Sequence, residues 1–313
     1  MNKKILSAAV CISLIAFSSC SKIIKEIKVE EKTHTIGFAY SGKTEYAYVE
    51  RYKSIKEEFS SHDSDTLIIL DAKENDQRQH EQIELFIQKN VDYLIIDPIY
   101  EGDWETSLSR LEYVKIPYIF VGNTVKRSSE VNLYSIMPNY SKEVEMSFDV
   151  LDEQIRRLGN ASKKTDVCIV RDYSDATSNK ERTFSIMDEI SKRNNWNLSS
   201  LRSSVDSAEG IPAQVFEDNV SFYIFFAMSD KIADELIKGI WAAGGIPGSQ
   251  SLVVCYDASP DVRRFHQSGE LAVSVSSDTN VGLKLYEIIR KMELMESVHE
   301  KNYMESMVSF SEE

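Results

Sequence analysis

Residues 37–44 read Gly37-Phe-Ala-Tyr-Ser-Gly42-Lys43-Thr44, a formal match to the phosphate-loop pattern GxxxxGK[ST]. They lie between a strand-like and a helix-like stretch. Two apolar runs end in aspartate, Asp71 and Asp97, where a nucleotide hydrolase would place its magnesium-binding carboxylate. The chemistry nevertheless fails to assemble. A phosphate loop needs a buried strand ahead of its first glycine, and here the polar stretch 30–34 precedes Gly37, which falls inside the one plausible strand. The histidines, at 34, 62, 80, 266 and 299, form no HExxH and no i, i+4 pair, so no zinc site is signalled. There is no GxSxG elbow. Among 50 Asp and Glu no pair is set apart by spacing, and solvated helix faces account for them. The expectation is a protein with no cofactor, no metal and no enzymatic activity.

The elements that would position any site follow a simple rhythm. From residue 34 short apolar runs (34–40, 66–71, 91–97, 117–121, 131–137) alternate with amphipathic stretches (45–60, 76–89, 103–114, 141–158). The runs are near-continuous in aliphatic residues, which suits parallel strands buried on both faces. The pattern repeats with strands predicted at 166–171, 197–202, 221–227, 252–256 and 271–275. Helices are predicted at 178–193, 230–243, 260–267 and 281–295, the second ending at Gly244-Gly245. Alternating β and α predicts an α/β fold of two doubly wound parallel-sheet lobes, with ligands bound outside the carboxyl ends of the strands.

Composition agrees. A chain of 313 residues, 42% hydrophobic and 27% charged, has the length for about two domains and the apolar content to fold them. Its net charge of −14 gives it no electrostatic reason to hold a phosphate backbone, which argues against a nucleic-acid partner.

The first residues set the compartment. Lys3 and Lys4 precede an apolar stretch at 5–17, followed by Ser18, Ser19 and Cys20. This resembles a bacterial lipoprotein signal, in which Cys20 is acylated and becomes the mature N-terminus. Phe17 stands where Leu is usual. Residues 1–19 are then the signal peptide and 20–33 a charged tether, placing the folded part outside the cytoplasm, anchored to the membrane. Cys168 and Cys255 lie in strand-like runs and are expected to be unpaired thiols.

The ordered landmarks resemble the type 1 periplasmic sugar-binding protein family, the group of ribose-, galactose- and galactofuranose-binding proteins. They are the segments 36–39, 54–58, 71–77, 82–98, 116–117, 227–230, 256–261 and 269–272, and they span about residues 34–295. The stretch 101–104 is similar to the galactofuranose-binding subgroup in particular. The resemblance implies a first lobe of residues 34–136 plus 276–313 and a second of 137–275, joined by a three-segment hinge. It implies capture of a small polar solute, above all a sugar, in the interlobe cleft by a monomer that delivers it to an ABC importer. The alternative is a sensory protein signalling to a membrane histidine kinase.

Site residues carried over on the resemblance are Glu45 as a polar contact, Tyr48 as a stacking aromatic, Tyr40 at the end of the first strand and Trp104 as a wall. Asp257 matches a hydroxyl-binding aspartate. Ser229 stands where Asn is usual, Lys180 where Arg is expected, and Ser276 or Ser277 at the third hinge. Tyr173 and Asp175 are weaker candidates, and Asp97 reads as a strand-end residue. After the fourth strand many members carry Asp-Arg, whereas this chain has Gly122-Asn123; Asn123 is the candidate ligand contact there, and the departure implies a different ligand or weaker sugar binding.

Overall fold

The computed structural model describes residues 33–102, 104–126, 134–171, 177–203, 207–216 and 222–311. The first lobe opens with β1 (His34–Tyr40), α1 (Tyr46–Ser60), β2 (Asp65–Asp71), α2 (Asp76–Gln88), β3 (Tyr93–Ile96), α3 (Glu105–Val114), β4 (Tyr118–Val121) and β5 (Ser135–Pro138). The second carries α4 (Tyr140–Arg157), β6 (Thr165–Arg171), α5 (Thr177–Ser191), β7 (Trp196–Ser203), α6 (Ile211–Val215), β8 (Phe222–Ala227), α7 (Asp230–Ala242), β9 (Ser251–Cys255), α8 (Arg263–Gln267) and β10 (Val273–Ser277). The chain then returns through α9 (Gly282–Glu293), β11 (Lys301–Met304) and β12 (Ser306–Phe310).

Two six-stranded sheets result, ordered β11-β5-β4-β3-β1-β2 and β12-β10-β9-β8-β6-β7. All pairings are parallel except β10 with β12. Each sheet therefore reverses its strand order between its first and third strands. In the first sheet that switch point lies between β1 and β3, and crevices form at the carboxyl ends of such strands.

Each sheet is covered on both faces. Ile36 and Phe38 of β1 pack with Ile55 of α1 and Leu285 and Ile289 of α9. On the opposite face Ala39, Leu94 and Ile96 pack with Ile83 and Phe86 of α2 and Leu108 of α3. Burial on both sides removes the polar/apolar alternation of a half-exposed strand, which is why the strands read as continuous apolar runs.

The return differs from the boundaries that the sequence suggests. Residues 276–277 remain in β10, and β12 pairs with β10 in the second sheet rather than joining the first. The chain thus passes between sheets three times: from β5 to α4, from β10 to α9 and from β11 to β12. Strand β12 sits at an edge with Met307 62% exposed, so it lacks the apolar run that marks its neighbours.

Cys168 on β6 and Cys255 on β9 are buried and free. Strand β8 lies between them, a separation of about 10 Å at ordinary strand spacing and beyond disulfide reach. Among the described residues no helix is long and apolar enough to cross a membrane.

Candidate functional site

The switch point of the first sheet carries a buried acid. Ser41 follows β1 and Asp97 follows β3, and the Ser41 hydroxyl donates to Asp97 Oδ2 at 2.5 Å. The Ser41 amide adds a longer bond at 3.4 Å. Asp97 Oδ1 is buried and has no partner among the described residues. Burial raises the proton affinity of this carboxyl, against the opposing pull of Arg51, the Ser41 hydroxyl and Lys43.

Helix α1 supplies the next wall. Tyr48 and Arg51 stand one turn apart and share a face. The Tyr48 ring is flanked by two cations, the Arg51 guanidinium at 4.4 Å and the Lys43 ammonium at 4.7 Å from its centroid. Its hydroxyl accepts from Lys43 Nζ at 3.3 Å and from Asn123 Nδ2 at 3.0 Å. Asn123 is fixed in turn by Tyr140 of α4, whose hydroxyl donates to Gly122 O at 2.7 Å and reaches Asn123 Oδ1 at 3.4 Å. A residue of the second lobe thereby holds the loop after β4 in the first.

The second lobe answers with a saturated ion cluster. Arg182 of α5 lies fully buried between the rings of Tyr140 and Tyr256, 4.9 and 5.1 Å from their centroids. It donates twice to Asp257, both at 2.8 Å, and twice to Glu143, at 3.0 and 2.7 Å. Glu143 also accepts from Ser277 at 2.5 Å and Ser306 at 3.0 Å, so the cluster reaches the strands that cross between lobes. Asp257 takes a left-handed backbone, φ 53°, which the short polar side chain of aspartate tolerates. Burial alone would raise its pKa. Arg182 reverses that, with further help from Arg51 and Lys43 of the facing lobe, and the carboxyl is held below its ordinary value.

A second bridge closes the lobes directly. Glu101, in the loop after β3, accepts from Thr177 Oγ1 at 2.7 Å and from Lys180 Nζ at 2.9 Å, both on α5. Lys126 approaches the same carboxylate at 3.4 Å. These donors outweigh burial and lower the Glu101 pKa.

Of the sequence candidates, the structure brings Tyr48, Asn123 and Asp257 to this cleft. Tyr40 turns into the first-lobe core against Tyr52, and its hydroxyl donates to Lys43 O at 2.5 Å. Glu45 is exposed just ahead of α1 and makes no capping bond. Trp104 is fully buried beside His80 and Phe120, with Nε1 donating to Tyr100 O at 3.0 Å, so it is packing rather than a wall. Lys180 serves the Glu101 bridge, and the guanidinium expected there is Arg182, two residues on. Ser229 caps α7, accepting from the Ile232 amide at 3.4 Å. Ser276 faces Met307 across β10 and β12, and its neighbour Ser277 makes the hinge contact. Cys20, Tyr173 and Asp175 lie outside the described residues.

Lys43, Arg51, Asp97, Glu101, Tyr140, Glu143 and Arg182 escaped the sequence reading, or in the case of Asp97 were given a lesser role. A usable signal existed. Arg51 shares a helix face with buried Ile55 and Phe59, Glu143 with Ser147 and Leu151, and Arg182 with Asn179 and Ile186. A charge inside a buried stripe at helical spacing must have a buried partner or a ligand. The phosphate-loop match dissolves at the same point. Gly37 lies within β1, where a Cβ would come within 2.7 Å of Phe86, and Lys43 is committed to Tyr48.

Comparison with known proteins fits this geometry. A search of curated proteins gives no match. Among solved structures, a Mycobacterium smegmatis protein in complex with β-D-fucofuranose superposes with a TM-score of 0.77 at 20% identity, over 89% of this chain and 92% of that one. The periplasmic component of the arabinose ABC transporter from Shewanella sp. ANA-3, bound to α- and β-L-arabinofuranose, gives 0.77 at 18% identity over 88% and 92%. The fructose-binding periplasmic domain of a hybrid two-component system gives 0.73 at 17% identity over 88% and 90%. At these identities the likeness establishes the fold. The periplasmic binding protein domain family matches residues 36–291, most of the chain, and the protein belongs to that family.

Proposed function

We propose that this protein is an extracytoplasmic solute-binding protein that captures a sugar between its lobes and delivers it to an ABC importer. The observation that carries the reading is the charge balance of the converging walls. Lys43, Arg51 and Asp97 of the first lobe stand with Arg182, Glu143 and Asp257 of the second, three cationic and three carboxyl side chains, a mixture that suits a neutral polar solute better than a charged one. Hydroxyl groups donate and accept at once, as a wall of mixed cations and carboxylates requires. A solute lacking one of them leaves a buried partner unmet, at about 1–3 kcal/mol, and this is the source of selectivity. Furanose sugars bound in similar structures support the same class. The bridge from Glu101 to Thr177 and Lys180 fits closure by hinge motion, which excludes water and strengthens every contact inside.

On this reading the protein acts as a monomer, exported by the signal at 1–19 and held to the membrane by lipid on Cys20. Replacing Cys20→Ala should abolish incorporation of labelled fatty acid and release the protein from the membrane. The sugar assignment is tested by thermal-shift screening of the purified protein against pentoses, hexoses, polyols and amino acids. A rise in melting temperature with a sugar supports it. A rise with amino acids alone contradicts it.

One observation favours a second reading. The likeness to the fructose-binding domain of a two-component system admits a sensory protein that reports its ligand to a membrane histidine kinase. Permease and ATPase genes beside this one would support transport, and a kinase and response regulator would support sensing.

A further inference from the structure

Arg51 is only 6% exposed, yet among the described residues it makes no hydrogen bond and no ion pair, and its Nε is buried without a partner. Its one close companion is the Tyr48 ring at 4.4 Å. A guanidinium carries five donors and never deprotonates in proteins, so a fold that buries one without acceptors gives up stability. Arg182 shows the alternative, making four hydrogen bonds to Glu143 and Asp257. Asp97 Oδ1 is the matching acceptor, buried and without a hydrogen-bond donor among the described residues, at the switch point of the same lobe. Both groups bear on the cleft: Arg51 contributes to the field at Asp97 and also at Asp257 in the other lobe.

Gly122 explains how Arg51 fits. It has φ +80°, and a Cβ built there would lie 2.7 Å from Arg51 Nη2 and 3.0 Å from its Cζ. Any other residue would contest the volume that the guanidinium occupies. The loop after β4 therefore contributes no side chain at this point, and the charge comes from α1 instead.

We infer that Arg51 and Asp97 together grip a pair of neighbouring hydroxyls on the solute, and that Gly122 is the specificity-determining gap that admits the guanidinium. Arg51 donates to the hydroxyl oxygens, and Asp97 Oδ1 accepts a hydrogen bond from a hydroxyl. This rests on the sugar-binding reading and assigns the residues that execute it.

The test is a double-mutant cycle with Arg51→Met, Gly122→Ala and the pair. Melting temperature is read without ligand, and affinity by calorimetry with the monosaccharide giving the largest thermal shift. Arg51→Met should leave the ligand-free midpoint unchanged or raised, and weaken the sugar Kd about 30-fold or more. Gly122→Ala should weaken Kd about tenfold by displacing the guanidinium, and about twofold at most once Arg51 is gone. Alanine at φ +80° lowers stability in either background, so the cycle is read on affinity. Additive losses of affinity, or a lowered ligand-free midpoint in Arg51→Met with Kd unchanged, would overturn the inference. If no sugar shifts the wild-type protein, the functional reading falls separately. The ligand-free midpoint of Arg51→Met then decides: an unchanged or raised midpoint keeps Arg51 as a donor reserved for another hydroxylated solute, and a fall makes it a packing residue.

Discussion

The two lobes bury an arginine each, and they treat it in opposite ways. In the second lobe Arg182 is sandwiched by Tyr140 and Tyr256 and chelated by Glu143 and Asp257. Its charge is spent on architecture, orienting Asp257 and, through Glu143, tying the wall to Ser277 and Ser306 where strands cross between lobes. In the first lobe Arg51 is buried almost as deeply, lies against the Tyr48 ring and beside Gly122, and makes no hydrogen bond or ion pair among the described residues. A buried charge whose hydrogen bonds are met rigidifies its surroundings, whereas one left open costs stability that a ligand supplying acceptors would recover. On the proposed reading one wall is finished before the solute enters and the other is completed by it.

The contrast can be broken first at its strongest point. Arg182→Met strands Glu143 and Asp257 without their cation and should cost about 3–5 kcal/mol in urea unfolding, with loss of solute binding. Equal costs for Arg182→Met and Arg51→Met would erase the distinction. Glu143→Gln keeps the shape but weakens four charge-assisted bonds, and about 2–3 kcal/mol should be lost by the same measurement. Asp97→Asn goes the other way at neutral pH. Its carboxyl has a raised pKa in the fold, so the ionised form is disfavoured there, and the amide should raise the ligand-free unfolding midpoint slightly while weakening binding.

Acid sharpens the same comparison. Asp257 and Glu101 have lowered pKa values, so the stability they confer is present above the ordinary carboxylate range and disappears as pH falls through their depressed values. Asp97 contributes with the opposite sign, favouring the fold at low pH and losing that advantage as pH rises through its raised value. A pH series of unfolding midpoints should show Asp97→Asn flattening the profile above the ordinary carboxylate range and Glu101→Gln flattening it below that range. The smallest effect is expected for Glu101→Gln on solute affinity, about a fivefold weakening as the interlobe bridge loses its charge. An unchanged Kd there would remove the bridge from the closure account.

Much of the fold was legible because both sheets are buried on both faces, and such strands advertise themselves as aliphatic runs. Strand β12 was not, since a short, half-exposed edge strand reads like a polar tail. The candidate site was legible where a residue ends a strand or enters a loop, as with Asp257 and Asn123, which the fold brings to the same cleft. It was obscured where helix register decides. Lys180 and Arg182 differ by two positions, which turns a side chain through about 200° on a helix, so one reaches Glu101 and the other the buried cluster. Trp104 misled because an aromatic just ahead of a helix looks available, whereas α2 and β4 enclose it. The Gly122-Asn123 departure suggested a lost guanidinium, and only three-dimensional proximity shows α1 returning one from residue 51.

The cleft is proposed to hold a sugar through an unfinished wall. Calorimetric titration of the wild-type protein and its Arg51→Met and Arg182→Met variants with the best-binding monosaccharide tests it most directly. The account expects saturable one-to-one binding by wild type, a folded but binding-deficient Arg51→Met and a destabilised Arg182→Met. Wild-type affinity in a fully stable Arg51→Met protein would contradict it.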